Sequence, residues 1–366
     1  MKETTLQLQY KPDWEETQAR YRAWWAHEYF GRCAISVVAP RDNPRARPEP
    51  PAATTVEAQW YDLDAISARN DYHMSRTFFG GEALPVWDAG YPGIAGIPTM
   101  LGCPFKLDMH TGWHDPLLTD PAGFDIRTLH IDKTHPAYQY HMAVLRRGAR
   151  EAIGKSLPSI GAFYHGGDTL AALRGTEQLL IDCVERPDVV RDAELYLMDM
   201  WCDFYDESYA VIRDATQGSL CWMGIWAPGK TYAVSNDFSY NISPRMLREL
   251  FLPAIERQTE FLDYSIYHVD GVEAFNHVDA LCELPRLQAL QILPGAGKPS
   301  PLHYIDVLKK VQKAGKNLQL GLPSEEVESA LRGLSARGLF ISTSCRSEVE
   351  AHALLKQVES WSVDRG

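Results

Sequence analysis

No cysteine in this 366-residue chain belongs to a CxxC pair, and the seven that occur (Cys33, Cys103, Cys183, Cys202, Cys221, Cys282, Cys345) are scattered and odd in number. That spacing offers no disulfide framework, which excludes a small stapled scaffold and predicts a reducing compartment. No apolar run approaches the roughly eighteen residues that a membrane span needs. The opening residues, MKETTLQLQY, lack the apolar centre of a signal peptide, so the expected location is the cytoplasm. Basic residues are in deficit: 36 Lys+Arg stand against 48 Asp+Glu, a net charge of −12. Nucleic acid and anionic membranes both favour a basic face and are excluded as expected partners. A polyanionic substrate would need a local basic pocket. Internal repeats, low-complexity tracts and HExxH or GxGxxG motifs are also missing.

What the chain does have is a globular composition, with 45% hydrophobic, 23% charged and 11% aromatic residues. Its length allows two medium domains or one large α/β barrel. Short β-rich runs predict strands at Ser219–Ile225, Ser265–Asp270, Leu287–Leu293, Asn317–Leu322 and Gly338–Thr343, each followed by a helical pattern. Cys33–Ala39 and Ser159–Tyr164 predict two more strands, Trp14–His27 an N-terminal helix, and Thr176–Asp214 a long helical segment broken at Pro187. Successive β-then-α units imply a parallel sheet. With an eighth strand it would close into a (β/α)8 TIM barrel; an open doubly wound sheet is the alternative. Residues 40–137 interrupt the rhythm with a stretch rich in Pro, Gly, Trp and His. So long a break predicts a functional insertion. Here it is expected to be a cap following the first strand, over the mouth of a single barrel domain spanning 1–366.

In a parallel barrel the reactive groups come from strand C-termini and the loops after them. Side chains two apart on a strand share a face, so His268 and Asp270 point the same way. Cys345 ends another strand. An imidazole, a carboxylate and a thiolate can hold Zn2+ with one position open; the same residues also suit a hydrogen-bonded His–Asp pair beside a small buried thiol. His165, in His165-Gly-Gly-Asp168, is a candidate acid or base on a glycine turn, although Asp168 could simply cap a strand-to-helix turn there. Trp222, Trp226, Tyr267, Trp87 and Trp113, with Tyr91, are candidates for a substrate wall, because stacked aromatics suit a sugar, a flat ring or a methylated cationic amine. For any single one, packing of the cap onto the barrel is an equal reading. Glu82, Asp88 and His114 are the polar groups the cap could present.

The strand series, the histidine-bearing strand and the segment Asp237-Phe-Ser-Tyr-Asn-Ile-Ser-Pro-Arg-Met-Leu leading into a helix resemble the uroporphyrinogen decarboxylase superfamily, which includes corrinoid-dependent methyltransferases. The resemblance covers about Ser159 to Val358. It implies a (β/α)8 barrel and, for the methyltransferase branch, a zinc site of a His-x-Cys strand and a later cysteine. His268 and Cys345 match those positions, and Asp270 stands where the first cysteine would be. An aspartate can bind zinc, though as a harder ligand. The resemblance further implies methyl transfer between a methylcorrinoid on a separate carrier protein and a thiol or small molecule, with His165 and Asp237 as nearby acid, base or orienting groups. A metal-dependent lyase or hydrolase acting on a small polar substrate, and a non-catalytic ligand-binding barrel, are the other two readings. The decarboxylase branch's arginine motif has no counterpart in the Val38–Arg45 segment. Expected partners are a small molecule, a corrinoid protein and a second copy of this chain.

Overall fold

The computed structural model describes residues 6–90, 96–164 and 166–366. An N-terminal helix, α1 (Trp14–Trp25), precedes the first strand, β1 (Ala34–Pro40). A short helix, Val56–Trp60, and a longer one, Leu63–Arg76, then lead into β2 (Thr77–Gly81). After the helices α2 (Gly166–Arg174), Thr176–Glu185 and α3 (Pro187–Thr216) come β3 (Thr231–Ser235), β4 (Tyr264–Asp270), β5 (Ala289–Leu293), β6 (Asn317–Gly321) and β7 (Leu339–Ser344). The last helix is α4 (Glu348–Trp361). The break in the long helical segment falls at Pro187, which takes the first position of α3, where its missing N–H costs nothing.

These strands form one seven-stranded sheet in the order β2-β1-β7-β6-β5-β4-β3. Every neighbouring pair is parallel except β2, which runs antiparallel along β1. From β3 onward each strand is followed by a helix, so the β-then-α reading holds. Two strands differ from expectation: Ser159–Tyr164 is not a strand, since strand pairing there is limited to Leu157–Pro158 just before it, and the run at Ser219 is shorter than expected. The apolar run Ser219–Ile225 is not a long strand but a tight hairpin, Ser219–Leu220 against Trp226–Ala227, turned through Gly224 at φ +71°. Its hydrophobicity reflects the burial of Leu220, Cys221 and Ile225 and the placing of Trp222 on a cavity wall rather than length in a sheet. The regular strand is the next one, β3, which the sequence reading leaves as loop.

The ladder does not close into an eight-stranded barrel among the described residues. Between β2 and β3 the chain continues in fragments. Val86–Trp87 runs parallel to Leu157–Pro158, the Ile160 N–H donates to Leu220 O at 3.0 Å, and the Thr231 N–H donates to Ser219 Oγ at 2.8 Å. Within the interrupting stretch 40–137, β2 and Val86–Trp87 thus belong to sheet structure, while a separate hairpin pairs Phe105–Leu107 with Gly112–His114.

Alternation along the strands sorts the side chains into two cores. Ile35, Val37, Val234, Val269, Ile292, Leu320 and Ile341 pack toward the helices. Ala34, Ala233, Ile266, Ala289 and Phe340 point the opposite way and meet Trp14, Tyr21, Trp24 and Trp25 of α1. The indole N–H of Trp24 donates to Gly338 O at 3.0 Å, and Asn317 Nδ2 donates to Trp24 O at 2.7 Å. Helix α1 therefore plugs the N-terminal ends of β6 and β7. Further along the same inner face the side chains turn polar. Ser235, His268, Gln291 and Gln319 stand level across β3 to β6. Buried apolar contact holds one end of the sheet, and polar groups are left to line the other.

Candidate functional site

A cavity of about 940 Å³ lies beyond that polar row, at the C-terminal ends of the strands. Its walls include Trp87 and Asp88, Trp113 and His114 of the 105–114 hairpin, Tyr164, Asp168 of α2, Trp222, Ser235, Asp237 and His268. Parallel sheets bind ligands at this end because the loops there are free to diverge.

His268 and Asp270 share the inner face of β4. The ring Nδ1 of His268 contacts the Gln291 side-chain oxygen on the neighbouring strand. A carbonyl oxygen only accepts, so Nδ1 carries the proton and Nε2 of the neutral ring is left bare. Nε2 lies 3.9 Å from Asp270 Oδ2. Asp237, in the turn after β3, completes the group: one ligand atom from each of Asp237, His268 and Asp270 lies within 4.8 Å of the others. The second oxygen of Asp270, Oδ1, is buried with no hydrogen-bond partner among the described residues. The Trp222 ring meets the His268 ring edge-on, with centroids 5.2 Å apart.

A second carboxyl sits behind this group. Asp168, in the first turn of α2, accepts from the Phe238 N–H at 3.0 Å and from Ser235 Oγ at 3.4 Å. Close approach makes this contact: a side chain at Gly167 would collide with Asn236, its Cβ falling 2.3 Å from Oδ1. Burial, and then the neighbouring Asp237 carboxylate, push the Asp168 carboxyl up to about 7. Asp237 is raised too, by burial and by Asp270, with His268 opposing, even though it opens onto the cavity. Glu194 of α3, buried behind Asp168, is raised well above the carboxylate range by burial and by Asp168.

The Asp168 shift has a measurable consequence in chelator-treated protein. A carboxyl whose folded pKa lies above its unfolded value stabilises the fold fully at low pH and loses that contribution as pH rises through about 7. Asp168 reaches cavity solvent, so the expected loss between about pH 5 and 8 is roughly 2 kcal/mol. Asp168→Asn should flatten that part of the profile in denaturant unfolding. An unchanged slope would show that Asp168 is not its source.

Other sequence candidates fall in different places. Trp87, Trp113 and Trp222 line the cavity, as do Asp88 and His114. His165 and Tyr91 lie outside the described residues. Glu82 does not reach down from a cap: it is fully buried and bound by Arg20, Arg32 and the Ile35 N–H. Trp226 is not on the cavity but in the α1 plug, its indole N–H donating to Thr216 O and its ring 5.2 Å from that of Trp14. Tyr267 faces the helix side of β4, because its parity is opposite to that of His268, and it is buried there. Cys345 is not in the converging group. It packs in the helix-side core, and its N–H donates to Val38 O at 2.9 Å. The same parity explains this: Ser344, paired with Val38, shares the inner face with Ser342, and Cys345 is one residue out of step.

Gln291 is a site residue that motif reading passes over, and Asp168 enters that reading only as the possible cap of a strand-to-helix turn. Gln291 carries a local signal, as the one polar residue in Ala289-Leu-Gln-Ile-Leu293 and in step with the inward Ala289. Asp168 is legible as the end of the His165-Gly-Gly-Asp168 turn, but its partners, which come from residues 235–238, are not.

The chain is a mixed α/β protein with a mostly parallel central sheet and a polar cavity at the strand C-termini. No family model and no curated protein matches its sequence. Among solved structures it is similar to a methyltransferase from Methanosarcina mazei, with a TM-score of 0.59 at 9% identity, covering 94% of this chain and 98% of that one. At that identity the likeness is one of fold. The apo form of the homocysteine methyltransferase MmuM from Escherichia coli also matches, at 16% identity over 60% of this chain and 85% of that one, with a TM-score of 0.27. Among the described residues, no helix is long and apolar enough to cross a membrane.

Proposed function

We propose that this protein is a metal-dependent, methyltransferase-like enzyme on a (β/α)8 barrel, with part of residues 40–137 capping its mouth. The observation that carries this reading is the convergence of Asp237, His268 and Asp270 beside a large cavity at the strand C-termini. The barrel is supported by the inner core, where five strands meet Leu84, Leu157 and Leu220 from the fragments between β2 and β3. Similarity of fold to the Methanosarcina methyltransferase over nearly the whole chain also supports it.

Asp237, His268 and Asp270 would hold a divalent cation, with zinc the one implied by the sequence resemblance. The residues fit that role: His268 presents a bare Nε2, and Asp270 has an oxygen without a partner. Asp237 then takes the place of Cys345 as third ligand. Bound zinc supplies Lewis acidity that lowers the pKa of a thiol or water. Gln291 holds the imidazole in one tautomer, and Trp222 packs against the ring to fix its plane. Asp168, partly protonated near neutral pH, can hold or return a proton beside Asp237. The expected methyl donor is a corrinoid on a separate carrier protein.

The test is demethylation of methylcobalamin by metal-replete protein with a panel of thiols, followed by absorbance. The expected result is turnover that depends on metal and falls at least tenfold in Asp237→Asn. Failure with every thiol in a metal-replete sample would reject methyl transfer. It would favour a second reading, a lyase or hydrolase, for which the carboxyl pair Asp168–Asp237 is the specific support: two carboxyls in mutual repulsion suit acid–base work.

A further inference from the structure

The cavity has an electrostatic character that the proposed metal does not use up. Its described lining contains the carboxyls Asp88, Asp168 and Asp237 and no lysine or arginine. Residues 91–95 and 165, outside the described set, add none either. With Asp237 committed to metal, Asp88 and Asp168 still face the space. The Asp88 backbone is pinned on both sides by Asn70, whose Oδ1 accepts from the Asp88 N–H at 3.1 Å and whose Nδ2 donates to Asp88 O at 2.8 Å. Its side-chain Oδ1 accepts only from the nearby Gly90 N–H among the described residues.

The rest of the wall is aromatic. Trp113 is 47% exposed and Trp222 is 36% exposed, both on the cavity, with Tyr164 beside them. Large aromatic surfaces left open on a concave wall cost hydration free energy and are kept where a ligand covers them. A flat, neutral ligand would satisfy the rings but leave the carboxyls uncompensated. An anion would be repelled by them. An alkylated ammonium satisfies both, since its charge is spread over methyl groups that pack on aromatic faces and its field pairs with carboxylates at short range.

We infer that the cavity binds an organic cation bearing a methylated ammonium group, with Trp113, Trp222 and Tyr164 against the methyl groups and Asp88 supplying the counter-charge. This rests on the methyltransferase-like reading only for the identity of the pocket, and the net charge of −12 favours approach of such a ligand. It sets this cavity apart from one built for an anionic ligand.

The test is calorimetric titration with choline and with its neutral isostere 3,3-dimethylbutan-1-ol, in metal-replete and chelator-treated protein. Choline should bind at least tenfold more tightly than the isostere in both preparations. Trp113→Ala, at an exposed ring, should weaken choline about tenfold, with partial recovery in Trp113→Phe. Asp88→Asn, which keeps an acceptor for Gly90, should weaken choline while leaving the isostere unchanged. Equal affinities for the two probes, tighter binding of propanesulfonate, or no choline binding at millimolar concentration would overturn the assignment. These affinities are independent of methylcobalamin turnover, so loss of the methyl-transfer reading and loss of this one are separately visible.

Discussion

Replacing Glu82 with alanine is expected to destabilise the protein by about 3–5 kcal/mol, the usual cost of removing one partner of a buried charge network. The carboxylate is fully buried. Its oxygens accept from Arg20 Nε at 2.5 Å, from Arg32 Nη1 and Nη2 at 2.8 Å each, and from the Ile35 N–H at 2.6 Å. Its backbone takes part as well: the Glu82 N–H donates to Ile35 O at 2.8 Å, and the Tyr21 hydroxyl donates to Glu82 O at 2.8 Å. One residue thus ties α1, β1 and the end of β2 together. Gly81 permits the tie. It sits at φ +59°, and a Cβ there would fall 2.1 Å from Ile35 O. Alanine at 82 would leave two guanidinium groups facing a dry void and the Ile35 amide without an acceptor.

Burial alone would raise the Glu82 carboxyl, but Arg32, its hydrogen bonds, Arg20 and the Ile35 amide outweigh it and hold the pKa below the ordinary value. The contribution is therefore present above the unfolded-state pKa of Glu and disappears as pH falls through the lower folded one. Glu82→Gln, which keeps the shape and one acceptor oxygen, should cost less than alanine and lose that acid dependence. Guanidinium denaturation midpoints of the three proteins check this. A loss below about 1 kcal/mol for alanine would mean that Arg20, 23% exposed, and Arg32, 11% exposed, are satisfied by water instead.

Glu82 also marks where sequence reading stops. As a charged residue in a Pro- and Gly-rich stretch it reads as a polar group of a cap, because nothing local announces that two arginines from residues 20 and 32 converge on it. What was legible was periodic. Four of the β-then-α units, the parity of His268 with Asp270 and the helix break at Pro187 follow from patterns spanning a few residues, and the structure reproduces them. Patterns of that range fail where apolar character has a second cause. Ser219–Ile225 is apolar because its ends are buried in a hairpin and Trp222 faces the cavity, and so it imitates a strand; β3, with Thr and Ser at its ends, does not advertise one. Trp226 is misread for the same reason, since an indole serves equally in a plug and in a pocket. Cys345 is placed by parity, and the reading at strand level did not extend parity past the end of β7. Asp168 depends on tertiary approach across Gly167 and Asn236, which no local pattern encodes.

That contrast decides how the metal proposal should be tested. His268→Ala is expected to weaken divalent-metal binding by at least a hundredfold, since it removes the one nitrogen donor of a three-residue group. Gln291→Leu should weaken it by roughly ten- to a hundredfold without removing a ligand, because the imidazole loses the contact that fixes its tautomer. Cys345→Ala should leave the affinity unchanged, since the thiol packs on the helix side of the sheet, where burial raises its pKa and disfavours the thiolate a metal needs. Affinity in all cases should climb with pH, because Asp237 is raised by burial and must release its proton before it can bind. Competition with a chromophoric chelator at pH 6 and 8 measures each value. If Cys345→Ala lost metal as completely as His268→Ala, the third ligand would be the thiol, and the turn after β7 would have to swing Cys345 to the inner face on binding. The carboxylate of Asp237 would then be free to act as a base, so this single variant determines whether Asp237 binds the metal or reacts.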